Sequence, residues 1–292
     1  MGLDRYRALI DEIGSYVTTV YLFLGGESLL HEDLVSMISI AHGRGIAVRL
    51  NTNATLLDRG KAVDLFEAKL DYISFSFDGY NAETYEKIRR GARFEPTLKN
   101  ILEFLELKKE RGTTIPYAVL ETIVARQAQK PAAEELAFRN LFRDLPLDEF
   151  NLREFHSWRG LLKDEAELRL RDCNLGYTPC PYPWCALTVL WDGTIVPCCL
   201  DNWGEYTLGK VGERPLREVW NGDKMRALRR KLVSRRYEEI SLCSDCDILW
   251  AENKTGKFPH TLLNVALSLP AANLLGYHLV NNLKRLLKGR RA

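Results

Sequence analysis

Residues 18–27 read TTVYLFLGGE, residues 46–53 read IAVRLNTN and residues 71–79 read DYISFSFDG. Each stretch is a run of β-branched and aromatic residues that ends in glycine or small polar residues. Such a run is typical of a buried strand followed by a loop. Two further runs of this kind cover 116–124 and 147–155. The five runs therefore predict five strands.

Helical periodicity fills the segments before and between these strands. The predicted helices cover 4–14, 32–44, 58–69, 81–89, 95–111 and 131–143. Gly14, Gly45 and Gly112 end three of them, as glycine commonly does. Strands that alternate with helices predict βαβ units and a parallel sheet. Because the chain starts on a helix, the first strand of such a series is absent.

One face of the predicted sheet is polar. Side chains alternate between the two faces of a strand. The polar side chains that share a face are Arg49, Asn51 and Asn53, then Ser74, Ser76 and Asp78, then Asn151 and Arg153. An exposed edge would explain any one of these strands, since parallel strands are normally apolar on both faces. Three in series favour a curved sheet or barrel whose concave side holds a polar ligand, and Glu121 and Arg153 are candidates for contacting a substrate there.

Composition excludes several classes of protein. A chain of 292 residues with 46% hydrophobic and 27% charged residues is typical of a soluble globular protein with one large or two smaller domains. The net charge of +2 gives no reason to expect nucleic acid as a partner. The N-terminal MGLDRYRALIDEI has no apolar core and is not a signal peptide. An odd number of cysteines with a CxxC pair favours a reducing compartment, so we expect a cytoplasmic protein.

All seven cysteines lie between Cys173 and Cys246. Within this part, 180–199 predicts a β-hairpin with Asp192-Gly193 at its turn. A hairpin brings the cysteines that flank it together at its open end, and Cys243-Ser-Asp-Cys246 can complete a set of four thiolates. Four thiolates suit either a [4Fe-4S] cluster or a tetrahedral zinc ion, and spacing alone leaves both open.

Taken in order over about residues 4–250, these segments resemble the radical S-adenosylmethionine (SAM) enzymes that carry a C-terminal SPASM domain. The resemblance implies an α/β fold, an incomplete (β/α)6 partial TIM barrel whose first strand is missing, over residues 1–160. It also implies a small cysteine-rich SPASM domain of hairpin and helix over 170–250, followed by a C-terminal helical extension over 251–292.

The resemblance also implies a SAM site at the carboxyl ends of the strands. Its glycine-rich segment, which binds the SAM amino group, would be Gly25, Gly26 and Glu27. The residues that contact the ribose and carboxylate would be Asn53, Ser76, Asp78 and Arg89. Ser28 and Ala54 stand where the family usually has proline and glycine. For either Arg89 or its neighbour Arg90, a solvated helix face is the simpler interpretation.

For the cysteines, the resemblance favours an auxiliary iron–sulfur cluster over zinc. Its Cys-x(9–15)-Gly-x4-Cys segment fits Cys180, Gly193 and Cys198, so the implied ligands are Cys180, Cys198, Cys243 and Cys246. Cys199 is the main alternative to Cys198, because adjacent residues on a strand face opposite sides. Cys173 and Cys185 are interpreted as buried small hydrophobic residues.

The family's Cys-x3-Cys-x2-Cys loop, which holds the SAM-cleaving [4Fe-4S] cluster, has no counterpart here, because no cysteine precedes Cys173. The resemblance places this loop before Met1. We therefore expect an N-terminally truncated chain that does not itself cleave SAM. A CxxxCxxC codon pattern in frame upstream of Met1 would support a radical SAM enzyme that lacks its cluster loop here, and a stop codon just upstream would contradict it.

Three functions are compatible with these patterns. The first is a radical SAM/SPASM oxidoreductase or peptide- or metabolite-modifying enzyme, with a reductant and a peptide or small-molecule substrate as partners. The second is a non-catalytic pseudo-enzyme that binds a peptide or another partner. The third is a zinc-binding structural module.

The C-terminal extension has a helical apolar stripe and ends in a basic tail. It is too polar for a good membrane span, which needs ~20 predominantly apolar residues. Such a basic amphipathic helix can lie on an anionic membrane surface, bind a partner or pack on the barrel. The positive charges of the predicted helix 223–234 are explained most simply by a solvated face.

Overall fold

The structure is a computed structural model that describes residues 1–124, 132–154 and 176–251. The helices are α1 (Leu3–Ile13), α2 (Leu34–Gly43), α3 (Arg59–Glu67), α4 (Ala82–Ile88), α5 (Phe94–Glu110), α6 (Ala132–Asn140), α7 (Tyr182–Cys185), α8 (Leu216–Trp220) and α9 (Asp223–Val233). The strands are β1 (Thr19–Tyr21), β2 (Ala47–Thr52), β3 (Tyr72–Ser76), β4 (Tyr117–Val124), β5 (Glu149–Glu154), β6 (Gly176–Tyr177), β7 (Thr188–Val189), β8 (Thr194–Val196), β9 (Gly209–Lys210) and β10 (Trp250–Ala251). Cys173 and nearly all of the predicted C-terminal extension lie outside these ranges.

Strands β1 to β5 form one parallel sheet in sequential order. The predicted α/β class, the five strands and the six helices around them are confirmed, because the alternation of apolar runs and helical periodicity reflects the actual order of elements. No helix in the described ranges is long and apolar enough to cross a membrane.

The outer face of the sheet is packed against aromatic side chains from the helices. Phe104 of α5 contacts Phe75 of β3 at a centroid distance of 5.4 Å and stacks on Phe66 of α3 at 4.9 Å. Phe77 stacks on Tyr85 of α4 at 4.4 Å. Burial of these rings stabilises this part of the chain. It commits one side of each strand to the core and leaves the polar side for a ligand.

The cysteine-rich part contains the predicted hairpin. Strands β7 and β8 are antiparallel, and Gly193 at the turn has a φ of +91°, a conformation that favours glycine. The Asp192 carboxylate accepts hydrogen bonds from the Thr194 amide at 3.0 Å and the Thr194 hydroxyl at 2.8 Å, which fixes the turn. A third short strand, β9, pairs antiparallel with β8.

Contacts divide the chain into two units, and α1 belongs with the cysteine-rich one. The described residues of the first unit are 1–15 and 176–251, and those of the second are 16–124 and 132–154. In the first unit the Arg5 guanidinium donates to the Asp192 carbonyl at 2.8 Å. The Leu216 amide at the start of α8 donates to the Glu12 carboxylate. Strands β6 and β10 pair antiparallel and join the two ends of the cysteine-rich segment.

Asp58 caps the N-terminus of α3 in the unit that contains the parallel sheet. The Asp58 side chain accepts a hydrogen bond from the Lys61 amide at 2.7 Å, and this bond lowers the pKa of Asp58. Asp58→Ala should lower the free energy of unfolding by about 1 kcal/mol at pH 7. Because the pKa is lower in the folded state, the difference from the unsubstituted protein should shrink as the pH falls through that pKa. Urea unfolding at pH 7 and in acid measures both effects.

Asp58→Asn is the matched control, because asparagine caps helices about as well as aspartate. It should unfold close to the unsubstituted protein at pH 7. An equal loss of stability in the two variants would show that the charge of Asp58, rather than its cap, is what stabilises α3.

Candidate functional site

The glycine-rich loop after β1 is tied to the end of β2 by the Glu27 carboxylate. This carboxylate accepts hydrogen bonds from the Thr52 hydroxyl and the Asn53 amide, both at 2.7 Å, and from the Leu29 amide at 3.0 Å. Gly26 has a φ of +95°, so glycine is required there, and the backbone of Gly25 and Gly26 is exposed. The predicted residues Gly25, Gly26, Glu27 and Asn53 therefore lie together at the carboxyl ends of two neighbouring strands.

Ala54, in the loop after β2, has a backbone conformation that favours glycine, the residue that the resemblance implies at this position. Its φ is +60°, in the left-handed region that costs a residue with a Cβ roughly 1–2 kcal/mol. The Thr52 hydroxyl accepts from the Ala54 amide at 3.0 Å, and the Asn100 side-chain amide donates to the Ala54 carbonyl at 2.9 Å. These bonds hold the loop next to Asn53 in the conformation that glycine would adopt without strain.

Asp78 and Arg89 form a partly buried ion pair beyond the end of β3. The Asp78 side chain is almost fully buried, and its Oδ2 accepts from Arg89 Nε at 2.7 Å. Its Oδ1 accepts from the Ile123 amide of β4 at 2.7 Å. Asp78 is thus occupied by protein groups and orients Arg89, whose Nη1 is not used in this pair. The neighbouring Arg90 is exposed, in agreement with a solvated face for one of the two arginines.

The polar face continues across β3, β4 and β5. The Ser76 hydroxyl donates to the Asn51 side-chain oxygen at 2.8 Å. In the register of the sheet, Ser76 is paired with Glu121 on β4, and Glu121 is paired with Asn151 on β5. Glu121 Oε1 accepts from Arg153 Nη2 at 2.8 Å. The sequence analysis placed these residues on one face, but did not identify Asn51 and Asn151 as parts of a site.

Toward the amino ends of the strands, the same face is filled by aromatic rings and one cation. The Arg49 guanidinium lies 3.7 Å from the centroid of the Tyr72 ring, and Tyr72 stacks on Tyr117 at 5.9 Å. Burial raises the pKa of Tyr72. Since these side chains pack on one another, polar groups that can meet a ligand are concentrated at the carboxyl ends.

In the cysteine-rich unit, four thiols line one cavity. They are Cys180, Cys198, Cys243 and Cys246, and the rest of the wall is apolar, formed by Pro183, Pro197, Leu228, Leu232, Leu242, Ile248 and Leu249. Cys185 and Cys199 are not among the lining residues. No group of three or more His, Cys, Asp or Glu side chains in the described ranges is already gathered as a metal-binding set. The four thiols therefore line the same cavity, but they are not gathered closely enough to form a metal site.

The surroundings of the cavity raise the pKa of two of its thiols, Cys180 and Cys198. Burial raises the pKa of Cys180 to about 12. A hydrogen bond between the Cys198 and Cys199 thiols raises the pKa of Cys198 and lowers that of Cys199. The Tyr182 hydroxyl forms a second hydrogen bond with Cys199. Because metal ligation requires thiolates, a bound cluster or ion would have to offset this burial.

Two family models match the chain. The model of the radical SAM superfamily matches residues 1–125, and that of the SPASM iron–sulfur cluster-binding domain matches residues 180–247. The chain belongs to the radical SAM superfamily and carries a SPASM domain. Both the resemblance drawn from the sequence and the fold class are thereby confirmed. The SPASM match includes all four cavity thiols.

Two curated relatives cover most of the chain. The Fe-coproporphyrin III synthase of Methanosarcina barkeri is 26% identical, over 85% of this chain and 74% of its own length. The cofactor-modifying protein for the tungsten-containing aldehyde ferredoxin oxidoreductase of Pyrococcus furiosus is 24% identical, over 85% of this chain and 79% of its own length. The first relative is named as a synthase and the second as a protein that modifies a cofactor.

Solved radical SAM structures share the fold at low sequence identity. Native anSMEcpe with bound AdoMet superposes with a TM-score of 0.57 at 14% identity, covering 97% of this chain and 90% of the other. SuiB of Streptococcus suis bound to the precursor peptide SuiA superposes with a TM-score of 0.56 at 16% identity, covering 84% of this chain and 63% of the other. These neighbours support the partial barrel as the architecture of the parallel sheet.

Proposed function

We propose that this chain binds SAM at the carboxyl ends of β1 to β3 and an auxiliary [4Fe-4S] cluster in the cysteine-rich cavity, in an enzyme that modifies a small cofactor by radical chemistry. The observation that carries the proposal is the cavity itself. All four thiols of the SPASM cysteine pattern line it, and every other lining residue is apolar. Thiolates in an apolar surrounding are the usual ligands of such clusters.

The strand ends supply a group for each polar part of SAM. The backbone carbonyls of the exposed Gly25 and Gly26, next to Glu27, would accept hydrogen bonds from the SAM ammonium group. Asn53 and Ser76 would hydrogen-bond the ribose hydroxyls. Arg89, oriented by Asp78, would bind the carboxylate, because a guanidinium fixed on one edge keeps N–H donors for a second anion.

The role of the protein is to bind, orient and exclude water. In the family, an electron from a reductant reaches SAM through a cluster held by the Cys-x3-Cys-x2-Cys loop. The sequence has no cysteine before Cys173, so SAM binding, not turnover, is the appropriate measurement for this chain. An auxiliary cluster held by Cys180, Cys198, Cys243 and Cys246 would supply one-electron transfer.

The substrate class follows from the relatives. The two that cover 85% of this chain are named for a coproporphyrin product and for cofactor modification. We therefore propose a small, carboxylate-bearing cofactor precursor as substrate. The SuiB neighbour, which binds a peptide, supports a peptide as the second candidate.

Calorimetric titration with SAM tests the proposed site. Arg89→Ala should weaken SAM binding about 10- to 100-fold, the effect of losing a charge-assisted hydrogen bond of roughly 1.5–3 kcal/mol. Arg90→Ala, which removes the adjacent exposed guanidinium, should bind SAM like the unsubstituted chain.

Thermal unfolding of the same samples separates binding from folding, because Arg89→Ala leaves Asp78 buried without its cation. Arg89→Lys keeps the positive charge but loses the fork geometry, and should bind SAM with intermediate affinity. If the unsubstituted chain does not bind SAM, or if the Arg89 and Arg90 variants bind it equally well, the proposed SAM site is wrong.

A further inference from the structure

We propose that Arg153, held by Glu121, binds a carboxylate of the substrate. This inference rests on the proposed function, since it adds a substrate contact to the same polar face. Glu121 acts through Arg153 and is a positioning residue.

Arg153 is exposed and Glu121 is nearly buried, so the cation of the pair is open to a bound anion. The Arg153 side chain is 59% exposed, whereas that of Glu121 is 12% exposed. One guanidinium nitrogen, Nη2, donates to Glu121 Oε1 at 2.8 Å. Arginine has five N–H donors in a planar fork, so the nitrogens not used in this bond can engage a second carboxylate.

A second contact fixes the carboxylate that orients Arg153. The Asn151 side-chain amide donates to Glu121 Oε1 at 3.3 Å, from the same strand as Arg153. Glu121 thus accepts from two side chains of β5 on one face of the sheet. The guanidinium is held at its inner edge, which reduces the conformational entropy lost when a ligand binds its outer edge.

The location argues against a purely structural pair. Other exposed arginine–carboxylate pairs of this unit, such as Arg111 with Glu67 at 2.8 Å, link helices on the outer side of the sheet. Glu121, in contrast, is paired in register with Ser76, one of the residues proposed to contact SAM. A substrate bound to Arg153 would therefore lie on the same face as SAM, two strands from Ser76.

The test is an absorption titration of the full chain with Fe-coproporphyrin III, which carries carboxylates, and with its methyl ester, which does not. Arg153→Ala should raise the dissociation constant for the acid about 10- to 100-fold. Arg153→Lys should raise it less, because lysine retains the charge without the fork. Arg111→Ala is the matched control and should leave it unchanged. The ester should bind the unsubstituted chain and Arg153→Ala equally.

Equal affinity of Arg153→Ala and the unsubstituted chain for the acid would overturn the proposal, as would a lack of binding by the unsubstituted chain. Thermal unfolding shows whether the variants fold, and Arg153→Lys keeps the test decisive if Arg153→Ala does not. SAM titration of the same samples distinguishes the two proposals. If SAM binds and the affinity for the porphyrin does not depend on Arg153, only the inference about Arg153 fails.

Discussion

Replacing Cys198 with serine is expected to reduce the iron bound after anaerobic reconstitution from about four atoms per chain to background. Cys198 lines the cavity with three other thiols, and a cluster with one ligand missing should not persist there. Cys199→Ser should retain the iron, because Cys199 does not line the cavity and hydrogen-bonds to Cys198 and Tyr182 instead. Iron analysis and the thiolate-to-iron absorption measure the outcome.

Cys185→Ser is the control for general damage to this unit. The Cys185 thiol donates to the Pro181 carbonyl at 3.3 Å, and a serine hydroxyl can make the same bond. If the Cys198 variant retains iron and the Cys199 variant loses it, Cys199 rather than Cys198 is the ligand. Stoichiometric zinc in place of iron would instead identify a structural zinc module.

The second large effect is expected at Lys108, whose side chain is 1% exposed. Its Nζ lies 2.6 Å from Asp148 Oδ2 and donates to the Pro146 carbonyl at 3.0 Å. Asp148 also accepts from the Ala118 amide of β4 at 2.8 Å. Lys108→Met leaves this carboxylate buried without its cation and should lower the free energy of unfolding by about 3–5 kcal/mol. Urea unfolding measures the change.

Lys109→Met provides the comparison at the next position of α5. Lys109 is exposed and donates to the Asp144 carbonyl at 2.9 Å, so its loss should change stability by less than about 1 kcal/mol. The double variant Lys108→Met/Asp148→Asn should recover part of the stability lost by Lys108→Met, because no unpaired charge remains. A loss below about 1 kcal/mol for Lys108→Met would contradict the importance of the pair.

The sequence predicted the sheet well because its signals are local. Alternation within runs such as 71–77 identifies a strand and its two faces, and the Asp192-Gly193 pair identifies a hairpin from two residues. The same alternation placed Arg153 on the polar face. Strands and turns, which depend on residues close together in the chain, can therefore be predicted from the sequence.

Pairings between distant residues could not be predicted in the same way. Asp78 was predicted at the SAM site, but the bonds of its oxygens to Arg89 and to the Ile123 amide could not be foreseen from the sequence. Lys108 lies in a helix rich in charge, and nothing in its surroundings distinguishes it from the exposed Lys109 until Asp148 is brought beside it. Such contacts depend on tertiary structure, which sequence periodicity does not encode.

The hydrogen bonds of α1 limit how freely domains can be exchanged among related enzymes. Arg5 and Glu12 complete the hairpin turn and the first turn of α8, although more than a hundred residues separate them from either. A hybrid that joins the cysteine-rich segment of one protein to the preceding part of another would have to preserve both contacts. The first helix therefore packs as part of the cysteine-rich unit, and swaps made at a single junction should fail more often than swaps that carry α1 along.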